Sequence, residues 1–208
     1  MKFKMLRTNM LNQWIIIHLR YLVGFAFIPS GLIKLMGERF TAIPADNPVG
    51  YFFEALYQSG FYWNFLGLVQ VIAGILLITQ RHATLGALMF FAILTNIWII
   101  TLSLSFSGTW IITSLMMIAV LILLVWDHHK LLPLINRSSA YEFPEPSRIW
   151  MNAGVIYSIC FTSLCLLGNI SKNSYANWGS AALILLVLVT FGLSNYRAYQ
   201  SRKLVSNA

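Results

Sequence analysis

The chain has 208 residues, 58% of them hydrophobic and only 10% charged, with a formal net charge of +8. Soluble domains carry roughly a quarter of their residues charged, so the composition excludes a soluble core; its apolar runs of about 20 residues are the length at which a helix crosses some 30 Å of hydrocarbon. The basic residues are scattered between those runs and form no stripe or face, which excludes nucleic acid as a partner and leaves membrane topology as their use.

Lys2, Lys4 and Arg7 precede an apolar run that starts at Trp14, an arrangement shared with signal peptides. The run continues for about 20 residues, contains Arg20 and ends without a small-residue cleavage pattern, which predicts an uncleaved first helix over 14–36. Residues 37–61 follow, with Pro44, Pro48 and the aromatic cluster Tyr51, Phe52, Phe53 and Tyr57. They predict a short helix lying in the membrane interface, where aromatic rings are favoured. Further spans are expected at 62–80, 84–104 and 109–126. A connection over 127–149 carries Pro133, Pro144 and Pro146, and the last two spans are expected at 150–170 and 178–196. The fold class is therefore an all-α membrane protein, one membrane domain over 1–208 with six transmembrane helices. With the N-terminus inside, the cytoplasmic segments hold Lys2, Lys4, Arg7, Arg81, Lys130, Arg137, Arg148, Arg197, Arg202 and Lys203, and the outer ones only Arg39 and Lys172. That bias places both ends in the cytoplasm.

A charged group in a span costs roughly 2.5–3.5 kcal/mol at its centre, so each one asks for an explanation. Arg20, Gly24, Phe27, Gly31 and Lys34 recur at steps of three and four and share one face of the first helix, which should turn into the bundle. Pro29 should kink that helix. Arg20 lies about 9 Å inside the cytoplasmic edge, where it either snorkels to headgroups or serves a site. Lys34 lies about 21 Å further along; it is either an interfacial anchor or a site residue paired with Glu54 or Glu38. Gly67, Gln70 and Gly74 share a face of the second span. Asn96, with Ala92 and Thr95, lies in the third, and Thr113 and Ser114 in the fourth. Gly24, Gly31, Gly67 and Gly74 suit close helix packing, and the polar residues suit either interhelical hydrogen bonds or a small polar pocket. The candidate intramembrane site is Arg20, Lys34, Glu54, Gln70 and Asn96.

His18 is the only histidine within a span, which argues against a haem. The adjacent imidazoles of His128 and His129 beside Asp127 do not converge as metal ligands do, so no metal site is expected. Cys160 and Cys165 form neither a CxxC motif nor a disulfide framework. No Walker loop, dinucleotide fingerprint or hydrolase elbow is present.

The first four spans, over 14–126, resemble the DoxX/DoxD family of small bacterial membrane proteins. The residues that carry the likeness are Arg20, Gly24, Phe27, Ser30, Gly31 and Lys34 in RYLVGFAFIPSGLIKL, Gly67, Gln70, Gly74 and Leu76 in LGLVQVIAGILLI, and Arg81, Leu85 and Gly86 in RHATLGAL. The resemblance implies a four-helix core in the bacterial inner membrane, a partner protein in the membrane or at its surface, and quinone as the cofactor class, since some members are linked to thiosulfate:quinone oxidoreduction. Gln70 stands where an acidic residue is often found, and the pair of helices over 150–196 is additional and could offer a docking surface. Three roles follow: an accessory subunit that positions a partner, not catalytic by itself; a quinone-linked oxidoreductase subunit in which Arg20 or Lys34 stabilises a reduced quinone and Gln70 or Asn96 donates to it; and a small-solute transporter.

Overall fold

The computed structural model describes residues 7–132, 147–170 and 174–206. Helix α1 (Met10–Leu35) is followed by a short α2 (Pro48–Gln58), then α3 (Phe61–Ile78), α4 (Ala83–Ser103), α5 (Thr109–Trp126), a single turn α6 (His128–Leu131), α7 (Arg148–Ile170) and α8 (Ser174–Ser206). Among the described residues six of these, α1, α3, α4, α5, α7 and α8, are long and apolar enough to cross a membrane. They match the expected spans within a few residues, except that α8 runs on past 196. Leu22, Ile112 and Leu185 are each about three-fifths or more exposed, an outward apolar surface that suits a bilayer as solvent. The protein is a multipass helical membrane protein. Residues 133–146, which hold most of the expected connection over 127–149, lie outside the described residues, as do Lys2, Lys4, Arg137, Lys172 and the side chains of Arg202 and Lys203.

Local chemistry sets several of the helix ends. Asn9 accepts the Leu11 N–H at 2.9 Å ahead of α1, and Asn47 accepts the Val49 N–H at 2.9 Å ahead of α2. Pro48 then occupies the first turn of α2, where a missing N–H costs no hydrogen bond. Helix α1 continues through Pro29 without a break.

Helices α1, α3, α4 and α5 pack in a ring, α1 against α3, α3 against α4, α4 against α5 and α5 against α1. The closest contact is between α1 and α3. A Cβ at Gly31 would lie 2.9 Å from the Gly67 carbonyl oxygen, and one at Gly74 would lie 2.8 Å from the carbonyl oxygen of Gly24. Only glycine permits backbones to approach so closely, which is the packing role expected of all four glycines. The face carrying Arg20, Gly24, Phe27, Gly31 and Lys34 is buried throughout. Helices α4 and α5 are joined instead by side-chain hydrogen bonds: Trp98 donates to Ser114 Oγ at 2.8 Å, and the hydroxyls of Thr101 and Thr113 meet at 2.9 Å.

Helix α7 lies on the outside of α1 and α3, and α8 lies on α7. Gly154 of α7 abuts the Ile78 carbonyl, Tyr21 donates to the Trp150 carbonyl oxygen at 2.9 Å, and Trp14 donates to Asn195 Oδ1 at 3.1 Å. Two apolar clusters result. One fills the ring with Val23, Phe27, Leu77, Phe90, Leu94 and Leu123; the other joins α1 and α3 to α7 through Ile28, Ile78, Trp150 and Tyr157.

Candidate functional site

Two polar clusters occupy opposite ends of the ring. At the end where α1 begins, Arg20 donates to Asp127 Oδ2 at 2.7 Å and to Gln80 Oε1 at 3.0 Å. Gln80 donates in turn to the Ile17 carbonyl oxygen at 3.3 Å, and Thr84 donates to Asp127 Oδ2 at 3.0 Å. Arg20, Gln80 and Asp127 are all buried. The guanidinium therefore does not snorkel, because a carboxylate at the end of α5 reaches in to neutralise it. Gln80 sits in the α3–α4 turn with φ of 62°. That left-handed conformation disfavours a residue with a side chain by about 1–2 kcal/mol, and it places the amide between Arg20 and Ile17. The network ties α1, the α3–α4 turn, α4 and the end of α5 together.

At the other end the ring opens into a cavity of about 590 Å³, within the range of small-molecule sites. Lys34 and Ser30 of α1, Gln70 of α3, Asn96 and Thr101 of α4, and Thr113 of α5 contribute its polar lining. Apolar and aromatic side chains form the rest, including Phe52, Phe53 and Leu56 of α2, which closes over one side. The floor is Phe27, stacked on Phe90 with ring centroids 3.5 Å apart, and below it the ring core is packed down to the Arg20 network. Ala26, Tyr62, Phe65, Ala92, Asn96 and Ile112 line the cavity and are also exposed on the bundle surface. The cavity thus opens sideways, at the level of the apolar spans, and is blind toward the Arg20 end.

Lys34 and Gln70 flank the glycine contact of α1 and α3: a Cβ at Gly67, one turn from Gln70, would lie 2.8 Å from Lys34 Cβ, and one at Gly31, one turn from Lys34, would lie 3.0 Å from Gln70 Cβ. The Lys34 ammonium is buried, donates to the Ser30 carbonyl oxygen at 2.9 Å and its Oγ at 3.4 Å, and lies 4.3 Å from the Phe40 ring centroid and 5.2 Å from that of Trp63. Gln70 is 1% exposed, and neither its amide nitrogen nor its oxygen has a hydrogen-bond partner. Burying an unsatisfied amide costs about 1–3 kcal/mol. Asn96 lines the cavity while donating to the Ala92 carbonyl oxygen at 2.9 Å.

Of the five candidate residues, Lys34, Gln70 and Asn96 share this cavity, and Arg20 and Glu54 do not. The expected pairing of Lys34 with Glu54 or Glu38 is corrected. No carboxylate of the described residues lies within 4 Å of Lys34, because its side chain folds back one turn onto Ser30 inside the bundle while Glu54 faces outward from α2. Glu54 is held instead by the guanidinium fork of Arg39, at 2.8 and 3.0 Å, and Gln58 adds a bond at 3.2 Å. Those bonds hold the Glu54 carboxyl below the usual carboxylate range and raise Arg39. Glu38 contributes its carbonyl oxygen, which accepts from Trp63 at 2.9 Å. Asp127, Gln80 and Thr84 are the residues that reading the sequence alone passed over as polar partners within the bundle.

In comparison with known proteins, the family model DoxX matches residues 15–103, that is, α1 to α4, ending before α5. No curated protein and no solved structure matches significantly.

Proposed function

We propose, from a DoxX-type region over residues 15–103 and the cavity that its helices line, that this membrane protein is a binding subunit: it holds a small amphipathic molecule within the bilayer and presents it to a partner protein. The observation that carries this reading is the cavity of about 590 Å³ that an unpartnered, fully buried Gln70 and a buried Lys34 both line. Lining that is mostly apolar with few convergent polar groups is the pattern of ligand sites, and the lateral opening suits a ligand that arrives from the membrane. The accessory role agrees with this, since holding a molecule needs no nucleophile or redox ligand of its own. A blind floor disfavours solute transport through the ring.

The Lys and Arg asymmetry supports an orientation with both ends in the cytoplasm of a bacterial inner membrane, which puts the cavity in the outer half of the bilayer. A quinone-linked role of the thiosulfate:quinone type is the second reading. Lys34 and Gln70 would donate to the quinone oxygens, and Arg20, neutralised by Asp127, would take no part. Native mass spectrometry of protein extracted gently from its own membrane tests the proposal. A retained small molecule, lost in Lys34→Ala and Gln70→Ala, is expected; a chain that retains nothing and binds no added amphiphile would refute it.

A further inference from the structure

We infer that the ligand of this cavity is a single-chain amphiphile with an anionic oxygen head, a carboxylate or a phosphate monoester, seated on the Lys34 ammonium with the Gln70 amide as second donor. The inference rests on the binding role proposed above and specifies its ligand.

The argument is one of charge and hydrogen-bond capacity. Arg20 has Asp127 and Arg39 has Glu54, while Lys34, buried within a span, has only the Ser30 oxygens and two aromatic faces. Aromatic faces and carbonyls stabilise an ammonium but do not neutralise it, and buried charges are ordinarily paired. An ammonium has three N–H donors, and Ser30 takes at most two, so one remains. Gln70 adds two unpaired N–H groups on the adjoining helix. Two donor groups that line one cavity from α1 and α3, one of them cationic, suit an oxyanion, whose charge-assisted hydrogen bonds are the stronger kind. A neutral carbonyl would accept the same bonds and leave the charge uncompensated.

The apolar part of the wall constrains the tail. Phe52, Phe53, Phe65, Ile97 and Met116 offer no partner to a polar group, and sulfur and ring edges adapt to a flexible chain. A volume of about 590 Å³ is that of a drug-sized ligand, which favours one chain over the two of a phospholipid. Ala26 and Ile112, lining residues that are themselves exposed at the level of the spans, suit a tail that enters from hydrocarbon.

The test uses the full-length protein in a non-ionic detergent, with binding read by native mass spectrometry and by quenching of tryptophan fluorescence with brominated chains. The probes share a twelve-carbon chain and differ in the head: dodecanoate, dodecyl phosphate, dodecanol and dodecyltrimethylammonium, with a decyl-substituted benzoquinone as the neutral redox comparison. One anionic probe is expected to bind at one per chain, at least tenfold tighter than the alcohol, the cation or the quinone, and the stronger of the two anions identifies the source of the head. Lys34→Met is expected to lose that preference and Lys34→Arg to keep it. Binding of the alcohol or quinone as tight as that of the anions overturns the anionic head and leaves the binding role standing; binding of none overturns both. If Lys34→Met fails to fold, the comparison of heads on the wild-type chain still decides.

Discussion

Removing the counter-ion of Arg20 is a severe perturbation that a small substitution can deliver. Asp127→Ala leaves the guanidinium, 7% exposed, with Gln80 Oε1 as its remaining side-chain acceptor at 3.0 Å, and leaves Thr84 without the oxygen it donates to at 3.0 Å. Breaking a buried ion pair from one side costs about 3–5 kcal/mol, whereas replacing both members by apolar groups is close to neutral. At about 2–4 °C per kcal/mol for a chain of this size, the single variant should melt roughly 6–20 °C below the wild type. The double variant Arg20→Met with Asp127→Leu should recover at least half of that loss. Fluorescence-detected thermal unfolding in one detergent, with elution profiles as a check on folding, measures all three. A single variant that melts within 2 °C of the wild type would refute the assignment, as would a double variant no better than the single, because the charge would then not be what the carboxylate offsets.

Gln70→Leu is expected to raise the thermal stability of the ligand-free protein by roughly 1–3 kcal/mol, by removing a buried amide without a partner, and to weaken ligand binding; a fall in stability would mean that the amide has a structural role. Gly67→Ala should destabilise by about 1–3 kcal/mol through overpacking, since the new methyl would lie 2.5 Å from the Leu35 nitrogen. Gly192→Ala, where nothing lies within 4 Å, should be neutral or slightly stabilising, and equal effects at the two positions would contradict the close α1–α3 contact. Burial, with Arg7 nearby, holds the His129 imidazole down to about 4 from 6.5. The unfolded chain therefore takes up the proton first, so this contribution to stability is intact above pH 6.5 and is lost as pH falls from there through about 4. Melting temperature against pH should show that slope in the wild type and a shallower one in His129→Gln; identical slopes would refute it.

The spans and their inward faces were legible from run length and from steps of three and four, because in a membrane those patterns report directly on solvation. The same arithmetic puts Lys34, Gln70 and Asn96 on their helices but does not separate them from Arg20 and Glu54, which lie outside the cavity that the three line. It could not supply the partners of the charges. The sequence places Asp127 at the start of a connection, yet among the carboxylates expected at the Arg20 end it alone adjoins a span, and a buried arginine needs such a neighbour. The pairing assigned to Lys34 failed for the opposite reason: Glu54 is close in depth, but Arg39, nearer in the loop and with a planar fork, competes better for a carboxylate. Gln80 carried no signal at all, since only the turn geometry turns its amide inward.

The distribution of contacts along the ring has a mechanical meaning. Helices α1 and α3 are locked backbone to backbone, and α4 and α5 are pinned to each other by the Trp98–Ser114 and Thr101–Thr113 bonds. The ion pair of Arg20 binds the two pairs together at one end, where a Cβ at Gly86 would lie 2.8 Å from the Leu77 nitrogen, and the stacked rings of Phe27 and Phe90 join them below the cavity. The bundle is thus built like tongs, with a charged rivet at the closed end and two stiff arms whose jaws meet around the cavity. A tilt of one arm about the rivet would change the width of the jaws most at the end that holds the cavity.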